Sequence, residues 1–194
     1  MKLSKNLHNL SYIIIFSLFI ISCGDDYTPK PRGYFRITLP QKSYQTYNTD
    51  CPFTFDYPKY AQAKTDKDAN TEPCWLNIEY PQFKGKLHLS YKQVKGNPND
   101  FFEDSRNLAY KHTVKADAIN ENLINKVTDN VYGMLYQVEG NAASSMQFFL
   151  TDSTNHFVRG ALYFMVPPDN DSLGPVIEFV QQDIYKMIDS FEWK

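Results

Sequence analysis

Apolar and polar residues alternate in several short stretches of this chain, and two longer stretches follow a helical repeat instead. Phe53, Phe55 and Tyr57 are separated by polar residues, which predicts a half-buried strand over 53–57, ended by Pro58. Cys74, Leu76, Ile78 and Tyr80 alternate in the same way, as do Leu87, Leu89 and Tyr91. Between these two strands, Pro81-Gln82-Phe83-Lys84-Gly85 reads as the turn of an antiparallel pair. A strand is also expected at 34–39 (YFRITL). A first helix is predicted after Asn97, a good cap, and Pro98, a good first helical residue. Asp100, Glu103 and Asp104 suit the positive end of its dipole, and Phe101, Phe102, Leu108, Ala109 and His112 can share one face. Strands are then expected at 123–127, 131–139, 145–151 and 156–166, with a turn at 152–155 before the last and Pro167-Pro168 after it. Capping residues Asp169-Asn170-Asp171-Ser172 precede a final helix from about Pro175. In it Val176, Phe179, Val180, Ile184, Met187, Ile188 and Phe191 form a wide apolar stripe, with Glu178, Gln181, Gln182 and Asp183 assigned to the opposite, polar face. Short strands with tight turns pair antiparallel. The fold class is therefore α+β, a mainly antiparallel sheet covered by helices.

The amino terminus has a different pattern. Lys2 and Lys5 precede an apolar run from Tyr12 to Ile21, which is too short for the roughly 20 residues that span a bilayer and fits the core of a secretory signal. Ile20-Ile21-Ser22-Cys23 then forms a lipobox: two aliphatics, a small residue at the cut and a thiol to carry diacylglycerol. Residues 1–22 read as a lipoprotein signal peptide and Cys23 as the lipidation site. Residues 23–32 read as a tether stiffened by Pro29 and Pro31, and 33–194 as one globular domain. Removing Lys2 and Lys5 with the signal changes the net charge from −2 to −4, too mild to identify a partner, and no basic stripe points to nucleic acid. Fourteen Tyr and fourteen Phe argue for a packed domain over a disordered one.

In an oxidising compartment Cys51 and Cys74 form a candidate disulfide, worth about 3 kcal/mol on the chain-entropy account. Two free thiols are the alternative. The bridge would enclose a polar run at 64–70 that looks poorly ordered by itself. Catalytic signals are missing: the sequence has no G-x-S-x-G, S-x-x-K or H-E-x-x-H, and its glycines are scattered. His88, His112 and His156 read as strand or cap residues. The pairs Asp66/Asp68 and Asp169/Asp171 lack a calcium-loop ladder, and the cysteines lack metal-site spacing. No catalytic residue, metal site or cofactor is expected. Active sites assemble in three dimensions, however, so a periplasmic enzyme or small-ligand-binding lipoprotein stands as the alternative.

Two resemblances add to this reading. The element order and the Phe55-Asp56-Tyr57-Pro58-Lys59-Tyr60 segment look like the Mog1/PsbP-like fold, whose members mostly bind proteins. More specifically, Tyr27-Thr28-Pro29-Lys30-Pro31-Arg32-Gly33-Tyr34-Phe35-Arg36-Ile37 and Leu39-Pro40 resemble the gliding-motility lipoprotein GldD family of the Bacteroidota. So do Cys51-Pro52-Phe53, Cys74-Trp75-Leu76-Asn77-Ile78 and the ending Ser190-Phe191-Glu192-Trp193. The resemblance implies a non-enzymatic envelope component of the gliding and type 9 secretion machinery, with other machinery proteins as partners. It further implies a lipid anchor, the palmitate-bearing kind, in the outer membrane facing the periplasm. It supplies no catalytic or ligand residues. Arg32, Tyr34, Phe35 and Arg36, where the tether meets the domain, are the expected interaction segment, because arginine forms forked bonds to carboxylates.

Overall fold

The structure is a computed structural model that describes residues 37–68, 72–111, 115–166 and 170–194. They belong to a compact unit spanning Tyr34–Lys194. Among the described residues the strands form two antiparallel sheets. A seven-stranded sheet has the order β3-β4-β5-β9-β8-β7-β6, and a three-stranded sheet the order β1-β2-β10. The strands are β1 (Tyr44–Asn48), β2 (Phe53–Pro58), β3 (Gln62–Thr65), β4 (Leu76–Tyr80), β5 (Gly85–Gln93), β6 (Ala116–Lys126), β7 (Val131–Gly140), β8 (Ser144–Thr151), β9 (His156–Phe164) and β10 (Glu192–Trp193). Helix α1 covers Asn99–Tyr110 and α2 covers Asn170–Asp189. The mainly antiparallel α+β class read from the sequence is the observed one.

The period-2 pattern turns Leu76, Ile78, Leu87, Leu89, Val158, Leu162, Met146, Phe148, Leu150 and Leu135 to one face of the large sheet. There they meet the stripe of α2 (Val176, Val180, Ile184, Met187) and the small sheet's Phe53 and Phe55, with Phe191 between them. On the other face α1 lies over Tyr136, Phe149 and Phe157; Phe102 stacks on Phe149 at 5.1 Å and Phe101 packs on Phe157 at 5.2 Å. Covered on both faces, β8 is buried along its whole length. Gly160 of β9 is required by close approach: a Cβ there would come within 2.3 Å of the Phe148 ring.

Several expectations need correction. Residues 37–39 form no strand; Pro40 has no N–H to give, and the Thr38 carbonyl instead accepts from the Gln82 side chain at 2.8 Å. Residues 34–36 lie outside the described residues. The first strand is Tyr44–Asn48, whose polar sequence hid it. It is an edge strand in which Tyr44 and Tyr47 alone are half-buried, Tyr47 stacked 5.0 Å from Phe55. Lys64 and Thr65 are ordered, because β4 offers a template on which they form the edge strand β3, where lysine is tolerated. Residues 69 and 70 lie outside the described residues. The strand expected at 123–127 begins at Ala116; as the other edge of the large sheet it needs no apolar alternation over its first half. Helix α1 begins one residue later than expected, with the Asn97 side chain accepting the Asn99 N–H at 3.2 Å. Helix α2 begins before Pro175, which lies inside it, although the apolar stripe starts only at Val176.

Candidate functional site

The largest departure from the sequence reading lies on α2. Asp183, assigned to the solvent face, is 0% exposed. It follows Val176 by seven residues and Val180 by three, so helical geometry puts it in the middle of the apolar stripe. A lone carboxylate there would cost several kcal/mol of desolvation. Residues in and beside the small sheet offset that cost. Lys42 Nζ, just before β1, lies 2.6 Å from Asp183 Oδ1 and also donates to the Phe179 carbonyl at 2.6 Å. The ammonium sits 3.7 Å from the centroid of the Phe179 ring, a cation–π contact. Tyr44 OH donates to Oδ1 at 3.1 Å, and Tyr60 OH to Oδ2 at 2.6 Å. Both carboxylate oxygens are thereby satisfied, one of them by a charge-assisted bond.

The phenols are held neutral. Burial first, and then Asp183, pushes Tyr44 up to about 12. Tyr60 is raised further by the same two causes. Tyr80, fully buried nearby, is raised well above the usual range by burial and then by Asp183. Its hydroxyl has no hydrogen-bond partner among the described residues. Four polar side chains, those of Lys42, Tyr44, Tyr60 and Asp183, thus form a node that joins the start of the described chain to its last helix. Donors and acceptor within it are committed to one another, so its chemistry is that of a clamp.

A second polar group lies on the outer face of the large sheet. His88 Nδ1 is 2.8 Å from Asn77 Oδ1 and 3.3 Å from Asp66 Oδ2. Burial lowers the His88 pKa, against the opposing pull of Asp66, so the ring is neutral at ordinary pH. Arg159 Nη2 donates to Gln147 Oε1 at 2.5 Å. His156 belongs elsewhere, bonded to Tyr91 OH at 2.8 Å and stacked 5.3 Å from Trp193; His112 lies outside the described residues. Among the described residues no three His, Cys, Asp or Glu side chains gather as metal ligands, and no helix is long and apolar enough to cross a membrane.

Of the residues singled out in the sequence, the structure brings Cys51 and Cys74 together as a disulfide with Cα atoms 5.6 Å apart, within the usual range. It ties the loop after β1 to the residues before β4, thereby joining the two sheets. Cys23, Arg32, Tyr34, Phe35 and Arg36 lie outside the described residues. The Asp183 node was missed; its one legible signal was the seven-residue spacing from Val176. Two open clefts accompany these features. One of about 430 Å³ lies between β7 and α2 and includes Asp117, Glu139 and Glu178. The other, of about 650 Å³, lies at the β3–β4–β5 corner.

Comparison with known proteins gives a family match over residues 24–193, to the family described as gliding motility lipoprotein GldD. No curated protein sequence matches. Among solved structures, the chain is similar to the solution structure of cyanobacterial PsbP (CyanoP) from Synechocystis sp. PCC 6803. The identity is 13% and the TM-score 0.49, over 82% of this chain and 98% of that one.

Proposed function

This chain belongs to the gliding motility lipoprotein GldD family, and on that premise we propose that it is a non-catalytic, protein-binding component of the gliding and type 9 secretion machinery. The match over 24–193 carries this reading, because it takes in nearly the whole domain. In this reading residues 1–22 are removed as a signal peptide, Cys23 carries the lipid, and the protein is held on the outer membrane facing the periplasm. The most elaborate polar feature described, the Asp183 node, spends its groups on holding the fold together. Arg32, Tyr34, Phe35 and Arg36 remain the proposed interaction segment.

Two experiments test this. Cys23→Ala should abolish lipid labelling and release the protein from the membrane fraction; a variant that still matures and sediments with membrane would overturn the anchor. Arg32→Ala with Arg36→Ala should leave abundance and thermal stability unchanged while gliding or secretion fails. Normal gliding and secretion in that double variant would remove the segment from the proposal.

A further inference from the structure

We propose that the β3–β4–β5 corner of the domain docks on anionic phospholipid headgroups of the membrane that holds it, an inference that rests on the lipid anchor at Cys23. The first ground is where the described chain begins. Ile37 packs on the main core, and the Thr38 carbonyl is fixed by Gln82 in the 3₁₀ turn Pro81–Phe83, which joins β4 to β5. Thirteen residues lie between Cys23 and Ile37, so even fully extended the tether reaches at most about 50 Å. The turn at which the chain enters the domain is therefore delivered to the bilayer at high effective concentration.

The second ground is what that corner displays. Lys84 ends the turn and is exposed; Lys86 follows on β5, and Lys64 lies on the edge strand β3. The three lysines line the 650 Å³ cleft, where the acid Glu79 is paired with Lys64 at 2.5 Å. Glu79 also stands opposite Lys86 in the strand register, so one acid faces three lysines and the cleft keeps a net positive charge, with Lys84 at its exposed rim. Met165 is held against the turn by its N–H on the Lys84 carbonyl at 2.8 Å, and its side chain is 77% exposed. Two cations beside a protruding thioether suit a headgroup layer with an apolar region beneath it. The opposite edge of the sheet provides the contrast. Leu123 there is 73% exposed, but its strand carries Asp117 and Glu121, which an anionic surface repels, and its lysine, Lys126, is paired with Asp129 at 2.9 Å.

The test uses the lipidated full chain in phosphatidylcholine vesicles with and without phosphatidylglycerol. A photo-activated diazirine residue replaces Met165 in one sample and Leu123 in another. Lipid adducts should form at 165 in preference to 123 and increase with phosphatidylglycerol. Lys84→Asn, which tolerates that residue's φ of +51°, and Lys86→Gln should each lower capture at 165 by about fivefold. Equal labelling at the two positions, or labelling at 165 indifferent to phosphatidylglycerol and to the lysines, would overturn the docking. Capture of protein instead of lipid by the residue at 165, in intact envelopes, would overturn it as well. A chain that fails to float with vesicles overturns the anchor and the docking together; one that floats unlabelled overturns the docking alone.

Discussion

At the scale of single residues, burial separates side chains that look alike in sequence. Asp183 and Asp189 are both acids of α2, yet only Asp183 is sealed into the core. Asp183→Ala would strand Lys42 and two phenols. We expect a loss near the lower end of about 3–5 kcal/mol, since Lys42 keeps some contact with water, read as a shift of the urea midpoint. The phenols add a pH dependence. Tyr44 is harder to ionise folded, at about 12, than unfolded, at 10.0. Its contribution is complete below pH 10 and disappears as pH rises through about 12. Tyr136, under α1, is likewise pushed up to about 12 by burial. Stability should therefore fall over that alkaline window while phenolate absorbance grows, and Tyr44→Phe should lessen the fall without abolishing it. Gly160 gives a steric test. Gly160→Val should cost about 1–3 kcal/mol through overpacking against Phe148, with part recovered when Phe148→Leu is added.

At the scale of elements, α2 is the main cover of the large sheet. Ile184→Ala should cost about 2–5 kcal/mol, measured by denaturant unfolding. Phe179→Ala should cost less, because that ring is only half buried and meets Lys42, Tyr60 and Phe83 at the edge of the core. The elements the sequence revealed best were those with one wetter and one dry face, such as β2 and β5, where period-2 alternation survives. It revealed the edges worst. β1 left no signal and the end of β3 looked poorly ordered, because a strand paired on one side only buries too little to leave a pattern. Strand β8 raised the opposite difficulty: covered on both faces, it shows burial even at Gln147 and Thr151.

At the scale of the whole molecule, the two ends of the described domain close on each other. Lys42 binds Asp183, the Lys194 N–H reaches the Pro52 carbonyl, and β10 pairs with β2. A chain ending at Asp189 would lose Phe191 and Trp193, which pack on Phe53. We expect such a truncation to unfold without a cooperative transition and to be cleaved rapidly by protease. The disulfide acts at the same scale. Cys51 and Cys74 should resist alkylation in the unfolded, unreduced protein and react after reductant is added. Replacing both with serine should cost about 3 kcal/mol.

Local periodicity and short-range chemistry were enough for the lipobox reading, the alternating strands, the existence of a helix after Asn97, the α+β class and the family resemblance. These are legible because a repeat of 2 or 3.6 residues and a turn signal are complete within a few positions. What depends on residues far apart in the chain came from the folded arrangement. It chose which strands lie at the edges, placed Asp183 inside the stripe with Lys42, Tyr44 and Tyr60 around it, and set the Thr38 carbonyl against Gln82 of the β4–β5 turn. The physical reason is the same in each case. The worth of a carboxylate or a lysine is set by what surrounds it, and here the surroundings are supplied by segments as much as 141 residues away.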